Sequence, residues 1–165
     1  MSNSTDKVHQ EVLNLEKNSR SVKTAHFKAA QRKLIVHRTL GILVIVTNII
    51  IFSPLLDLLI PKYSAIGIKF LAIFGASLAG IQALLTFQKD VEIHLSAGDK
   101  YASIYHRTGV LLAEYEDGLI DKNRLIEEFK ILQKEYLEAN NSYKSCISSN
   151  QDYEWATESI KKRTV

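Results

Sequence analysis

The sequence predicts an all-α membrane protein: a hairpin of two transmembrane helices with long helical cytoplasmic extensions and a third cytoplasmic helix. Three observations lead there. Two runs are nearly free of charge, since Leu40 to Ile60 holds Asp57 as its only ionisable residue and Phe70 to Gln88 holds none. A hydrocarbon core of about 30 Å takes about 20 helical residues, so either run can cross it. The flanks carry apolar residues at heptad spacing, and Pro occupies only 2 of 165 positions, which favours long helices. With no internal repeat, a single domain over 1–165 is expected. The alternative, a soluble bundle with a buried hairpin, is disfavoured by two adjacent runs of spanning length.

The first element is a cytoplasmic helix over 7–39. Val8, Val12, Leu15, Ser19, Val22, His26 and Ala29 follow alternating steps of four and three, the seam of a coiled helix. No Pro or Gly lies between Val8 and Thr39, so this helix should run unbroken into the first span, 40–60. About forty residues, many of them charged, precede that span, so a cleaved signal peptide is not expected. Pro54 is placed to kink the span near its outer end, where Asp57 can reach water or pair with Lys62. The link IPKYSAIGIK is too short for a domain, and the second span follows over 66–88.

Its exit should also be continuous, because no Pro or Gly lies between Phe87 and Ala97. The cytoplasmic helix 89–116 carries a second seam: His94, Ala97, Tyr101, Ile104, Thr108, Leu111 and Tyr115. In EDGLID, Gly118 is the breaker and Asp121 the N-cap of a third helix over 121–148, with Leu125, Phe129, Leu132, Tyr136, Ala139 and Tyr143 as its seam. The tail 149–165 has weaker periodicity. It reads as a short helix offering Tyr153 and Trp155 to a partner or, more plainly, as a frayed terminus.

Charge sets the expected orientation. Arg20, Lys23, Lys28, Arg32, Lys33 and Arg38 approach the first span and Lys89, Lys100 and Arg107 follow the second, while the link carries only Lys62 and Lys69. The positive-inside rule puts both termini in the cytoplasm of a multi-pass cell-membrane protein, with the Pro61 turn outside. Setting Leu40 and Phe87 at one level places His37 opposite Asp90, Lys33 opposite His94 and His26 opposite Tyr101. His26, His37, Asp90, His94 and Tyr101 are therefore the candidates for coupling the cytoplasmic helices to the spans.

Within the second span, Ala72, Gly75, Ala76, Ala79, Gly80 and Ala83 form a stripe of small residues, the kind of surface through which membrane helices approach closely. The stripe either seats the first span of the same chain or packs protomers into a ring. A channel requires the second arrangement, since one hairpin cannot enclose a water path. Gln82 and Thr86 beside the stripe, and Thr47 and Asn48 in the first span, either make interhelical hydrogen bonds or line such a path.

The chemistry of an enzyme is not found. Gly75 and Gly80 lack the strand context and third glycine of a dinucleotide fingerprint, and the five histidines show no zinc-motif spacing. Cys146, the single cysteine, reads as a small core residue, and no cofactor or metal is expected. His26 and His94 read as hydrogen-bonded packing histidines, placed to titrate near neutral pH and bias the bundle. A net charge of +3 is too small to indicate a nucleic-acid partner.

HFKAAQRKLIVHRTLGIL entering the first span and FQKDVEIHLSAGDKYASI leaving the second give the chain a family likeness. It resembles the SLATT family, the SMODS and SLOG-associated two-transmembrane effectors of bacterial anti-phage systems. Phe87, His94, Ala97 and Tyr101 match the family's aromatic, histidine, small residue and tyrosine, and the likeness covers roughly residues 20 to 145. The resemblance implies a membrane-disrupting or pore-forming homo-oligomer that arrests an infected cell. It also implies a cytoplasmic partner, either a nucleotide-second-messenger synthase or a retron-type reverse transcriptase with its nucleic acid. Unlike the fused forms of the family, this sequence carries no separate sensor domain, so the trigger is expected either at the cytoplasmic helices themselves or through a partner. Lys23, Lys28, Arg32 and Lys33 are placed to meet lipid headgroups or an anionic ligand. A non-conducting anchor or scaffold for a soluble partner is the alternative function.

Overall fold

The computed structural model describes residues 3–53, 58, 61, 64–85 and 87–163. Pro54, Asp57, Lys62 and Thr86, all named above, lie outside them. The described residues form helices α1 (Asn3–Phe52), α2 (Ser64–Leu84), α3 (Phe87–Glu116), α4 (Lys122–Ser142) and α5 (Asn150–Arg163), with no strand among them. Their packing divides into two units, Met1–Ala30 with Glu92–Val165, and Gln31–Val91.

α1 is continuous through 50 residues, as its lack of Pro and near-lack of Gly dictates. The second span does not share this continuity. α2 ends at Leu84, Leu85 lies in a bend, and α3 begins at Phe87, whose N–H donates to the Leu85 carbonyl at 2.8 Å. Neither Pro nor Gly marks this break, so composition alone did not reveal it.

The first unit is built on the three seams. Val12, Leu15, Leu111, Leu112, Leu125 and Leu132 form one buried cluster, and Ala97, Tyr101, Ile104 and Ala139 a second, with Tyr136 packed against both. α1 and α3 run antiparallel, from His9 beside Glu116 at one end to Phe27 against Gly98 at the other. α4 folds back along α3: Arg107 donates to both oxygens of Glu135 at 2.8 Å, Tyr101 to Asn140 at 2.6 Å, and the Ser96 and Tyr143 hydroxyls bond at 2.8 Å.

The turn between α3 and α4 forms as its residues require. Gly118 adopts φ +72°, and its N–H bonds the Tyr115 carbonyl while that of Leu119 bonds Glu114, satisfying the last carbonyls of α3. Asp121 then caps α4 by accepting from the Arg124 N–H at 2.8 Å. α4 is shorter than its predicted 121–148. It ends at Ser142, where Asn140, Asn141 and Ser142 are poor interior residues because their side chains compete for the backbone.

The tail forms a helix instead of fraying. Asp152 accepts from the Ser149 N–H at 2.8 Å, and the Asp152 N–H donates to the Ser149 hydroxyl at 3.3 Å, a reciprocal cap at the start of α5. Asp152 and Ala156 are fully buried, and Thr157, Ile160 and Lys161 line a groove with Gln10, Leu13 and Lys17 of α1. Tyr153 and Trp155 stay over a third exposed.

Gly98 lets α1 and α3 approach. A β-carbon there would stand 2.6 Å from Cε1 of Phe27 and under 3 Å from two further ring atoms, and the rigid ring can yield only by moving as a whole. Gly98→Ala is expected to cost about 1–3 kcal/mol of stability in denaturant unfolding, with helical content retained. A neutral result would mean that Phe27 relaxes freely.

The second unit packs α1 on α2 and the start of α3. Partners pair in opposing order: Lys33 with Asp90, His37 with Phe87, Gly41 with Gln82 and Thr47 with Gly75. Ile42, Ile45, Ile49 and Phe52 of α1, and Ile66, Phe70, Ile73 and Phe74 of α2, are exposed. Both chain segments hold a helix long and apolar enough to cross a membrane, and only 6% of each most apolar stretch is buried within the chain. The core helix of a soluble bundle would be mostly buried.

Candidate functional site

The small-residue stripe divides in two. Gly75 is buried, and a β-carbon on it would meet Thr47 Cγ2 at 3.2 Å, so it seats α1 closely. Ala72, Ala76, Ala79, Gly80 and Ala83 are exposed, and the space beside Gly80 is open. The face turned toward α1 is the row of half-buried or buried Leu71, Gly75, Leu78 and Gln82.

The polar groups of the spans do not gather on one face. Thr47 is buried, with its hydroxyl donated back to the Leu43 carbonyl at 2.8 Å and its methyl against Gly75. Gln82 Nε2 stands 3.5 Å from where a Gly41 β-carbon would lie, whereas Asn48 is exposed. Thr86 falls outside the described residues.

Of the three level-matched pairs, His26 does meet Tyr101, while those of Lys33 and His37 differ. Lys33 Nζ donates to Asp90 Oδ2 at 2.7 Å instead of facing His94, and the His37 ring lies 5.8 Å from that of Phe87 instead of facing Asp90. The shift is about one helical turn. It lets a cation meet a carboxylate, a preference that levelling the span ends ignores.

His26, His94 and Tyr101 do come together, in the first unit. The Nδ1 atoms of His26 and His94 lie 3.0 Å apart, so one ring donates and the other accepts through its lone pair. Tyr101 stacks on His26 at 5.7 Å and 12°. Burial, then the neighbouring His94, lower the His26 pKa to about 4, against an opposing pull from the Asp152 carboxylate. For His26 this disfavours the charged form, against the expectation that it titrates near neutral pH. Burial pushes the Tyr101 hydroxyl up to about 12, and the hydroxyl donates to the side-chain oxygen of Asn140.

Cys146 completes the cluster, a residue read from sequence as filling a core. Its thiol and one nitrogen from each of His26 and His94 lie within 4.8 Å of one another. The turn after α4, closed by the Cys146 N–H on the Tyr143 carbonyl at 2.8 Å, brings it there. No local spacing announces this group, because its members come from α1, α3 and the link between α4 and α5.

Comparison of the chain with protein families, with curated proteins and with solved structures finds no match.

Proposed function

We propose that the chain is a membrane effector of a bacterial anti-phage system, inserted in the cell membrane as a two-helix hairpin with both termini cytoplasmic. On this reading it assembles with further copies and permeabilises the membrane when a partner engages its cytoplasmic helices. The observation that carries the membrane part is the exposed apolar surface of the second unit, which needs hydrocarbon around it, whereas the first unit has its own buried core. The defence role rests on the resemblance to SLATT proteins. The open side of the stripe, from Ala72 to Ala83, is the surface for a neighbouring copy.

A second reading, a non-conducting anchor that docks a cytoplasmic partner, is favoured by Thr47 and Gln82. The hydroxyl of the first is already bonded within its helix, and the second turns toward Gly41, so both serve packing in a single chain. Release of dye or ions from liposomes containing the full chain, alone and with its genomic partner, separates the two. The effector reading expects release, and absence of release under both conditions leaves the anchor. Asn48 is an exposed polar side chain of the first span. Asn48→Leu is expected to cut flux about tenfold or more while insertion and oligomer size persist. Gln82→Leu should also reduce flux if assembly turns the amide to water. Variants that both conduct like the parent would place neither amide on the path.

A further inference from the structure

We propose that His26, His94 and Cys146 form a binding site for one Zn²⁺ per chain. Nothing in the effector or anchor reading requires such a site, and the inference stands apart from both.

The geometry is close to that of coordination. Zn²⁺ with bonds of about 2.0–2.1 Å to nitrogen and about 2.3 Å to sulfur separates tetrahedral ligands by about 3.3 Å for two nitrogens and about 3.6 Å for nitrogen and sulfur. The two Nδ1 atoms already stand 3.0 Å apart, and all three ligand atoms fall within 4.8 Å of one another. Small side-chain rotations therefore suffice. Each donor is held by its surroundings: His26 by the Tyr101 ring, α1 and α3 by the Phe27 contact with Gly98, and Cys146 by its turn.

The donor set selects the metal. Two imidazoles and a thiolate suit a borderline-soft cation and exclude Ca²⁺ and Mg²⁺, which take oxygen ligands. Neutral imidazoles and one thiolate leave a formal charge of +1 on the bound metal, and the fully buried Asp152 carboxylate, whose field reaches His26, offsets it. Three protein ligands leave a fourth position for solvent, which half-buried Cys146 can admit. A bound metal would tie α1, α3 and the link before α5 together.

The test uses the full chain in detergent micelles, titrated with Zn²⁺ against a chromophoric chelator and separately with Co²⁺. One equivalent of Zn²⁺ is expected to bind, and the Co²⁺ form should show near-ultraviolet thiolate-to-metal charge transfer. Cys146→Ser should abolish that band and, like His94→Gln, weaken Zn²⁺ binding by at least about tenfold. His9→Gln and His106→Gln should leave both readouts unchanged. Circular dichroism checks each fold; should His94→Gln unfold, the nearly isosteric Cys146→Ser decides alone. Failure of the parent to bind, binding unaltered in Cys146→Ser, or loss of binding on replacing His9 or His106 would each overturn the site.

Discussion

Ile104→Ala should lower the stability of the helical unit by about 2–5 kcal/mol. Ile104, with Leu125 and Leu132, is among the largest fully buried side chains of the described residues, and it packs with Ala97, Tyr101 and Ala139. The size of the effect depends on whether the neighbours can collapse into the space. Two of them are alanines already without reach, and Tyr101 is tethered by its bond to Asn140 and its stack on His26. The cavity should therefore persist, and both the transfer cost and the cavity cost apply. Denaturant unfolding followed by circular dichroism measures it. A loss below about 1 kcal/mol would mean that the core repacks and is looser than its contacts imply.

Gly75→Leu and Gly80→Leu should separate the two roles of the small-residue stripe. At Gly75 even a β-carbon would come 3.2 Å from Thr47 Cγ2, so a leucine must push α1 away from α2. Overpacking of this kind costs about 1–3 kcal/mol or more, and the expected result is a sharp fall in the yield of folded protein. At Gly80 there is open space beside the helix, so the leucine fits a single chain without strain. If the exposed side of the stripe joins copies, Gly80→Leu should preserve yield and dissociate solubilised oligomers to monomers. Should Gly80→Leu leave oligomers intact, assembly does not use this face. A normal yield for Gly75→Leu would instead show that α1 and α2 tolerate wider separation.

The two kinds of residue differ in how far sequence could reach them. Val12, Leu15, Ile104, Leu111, Leu125 and Leu132 were legible because burial on a helix obeys a period, and a period is a local property of the chain. Gly118 and Asp121 were legible for the same reason, since a left-handed turn and a cap need particular residues at particular positions. The bend at Leu85 was not, because no breaker residue stands there. Nor was the order of α5, whose reciprocal cap of Ser149 and Asp152 follows the end of α4 and whose buried side needs α1 to cover it.

By itself the sequence determined an all-helical chain, two stretches apolar and long enough to cross a membrane, and the sides on which the remaining helices bury their apolar residues. Those follow from composition and from steps of three and four residues. Tertiary structure decided which residues meet across helices: Lys33 with Asp90 one turn from the levelled register, Gly75 alone of its stripe against α1, and Cys146 beside His26 and His94. These are long-range choices. The chain settles them through the sum of packing, charge pairing and desolvation over several elements at once, and no local pattern records that sum.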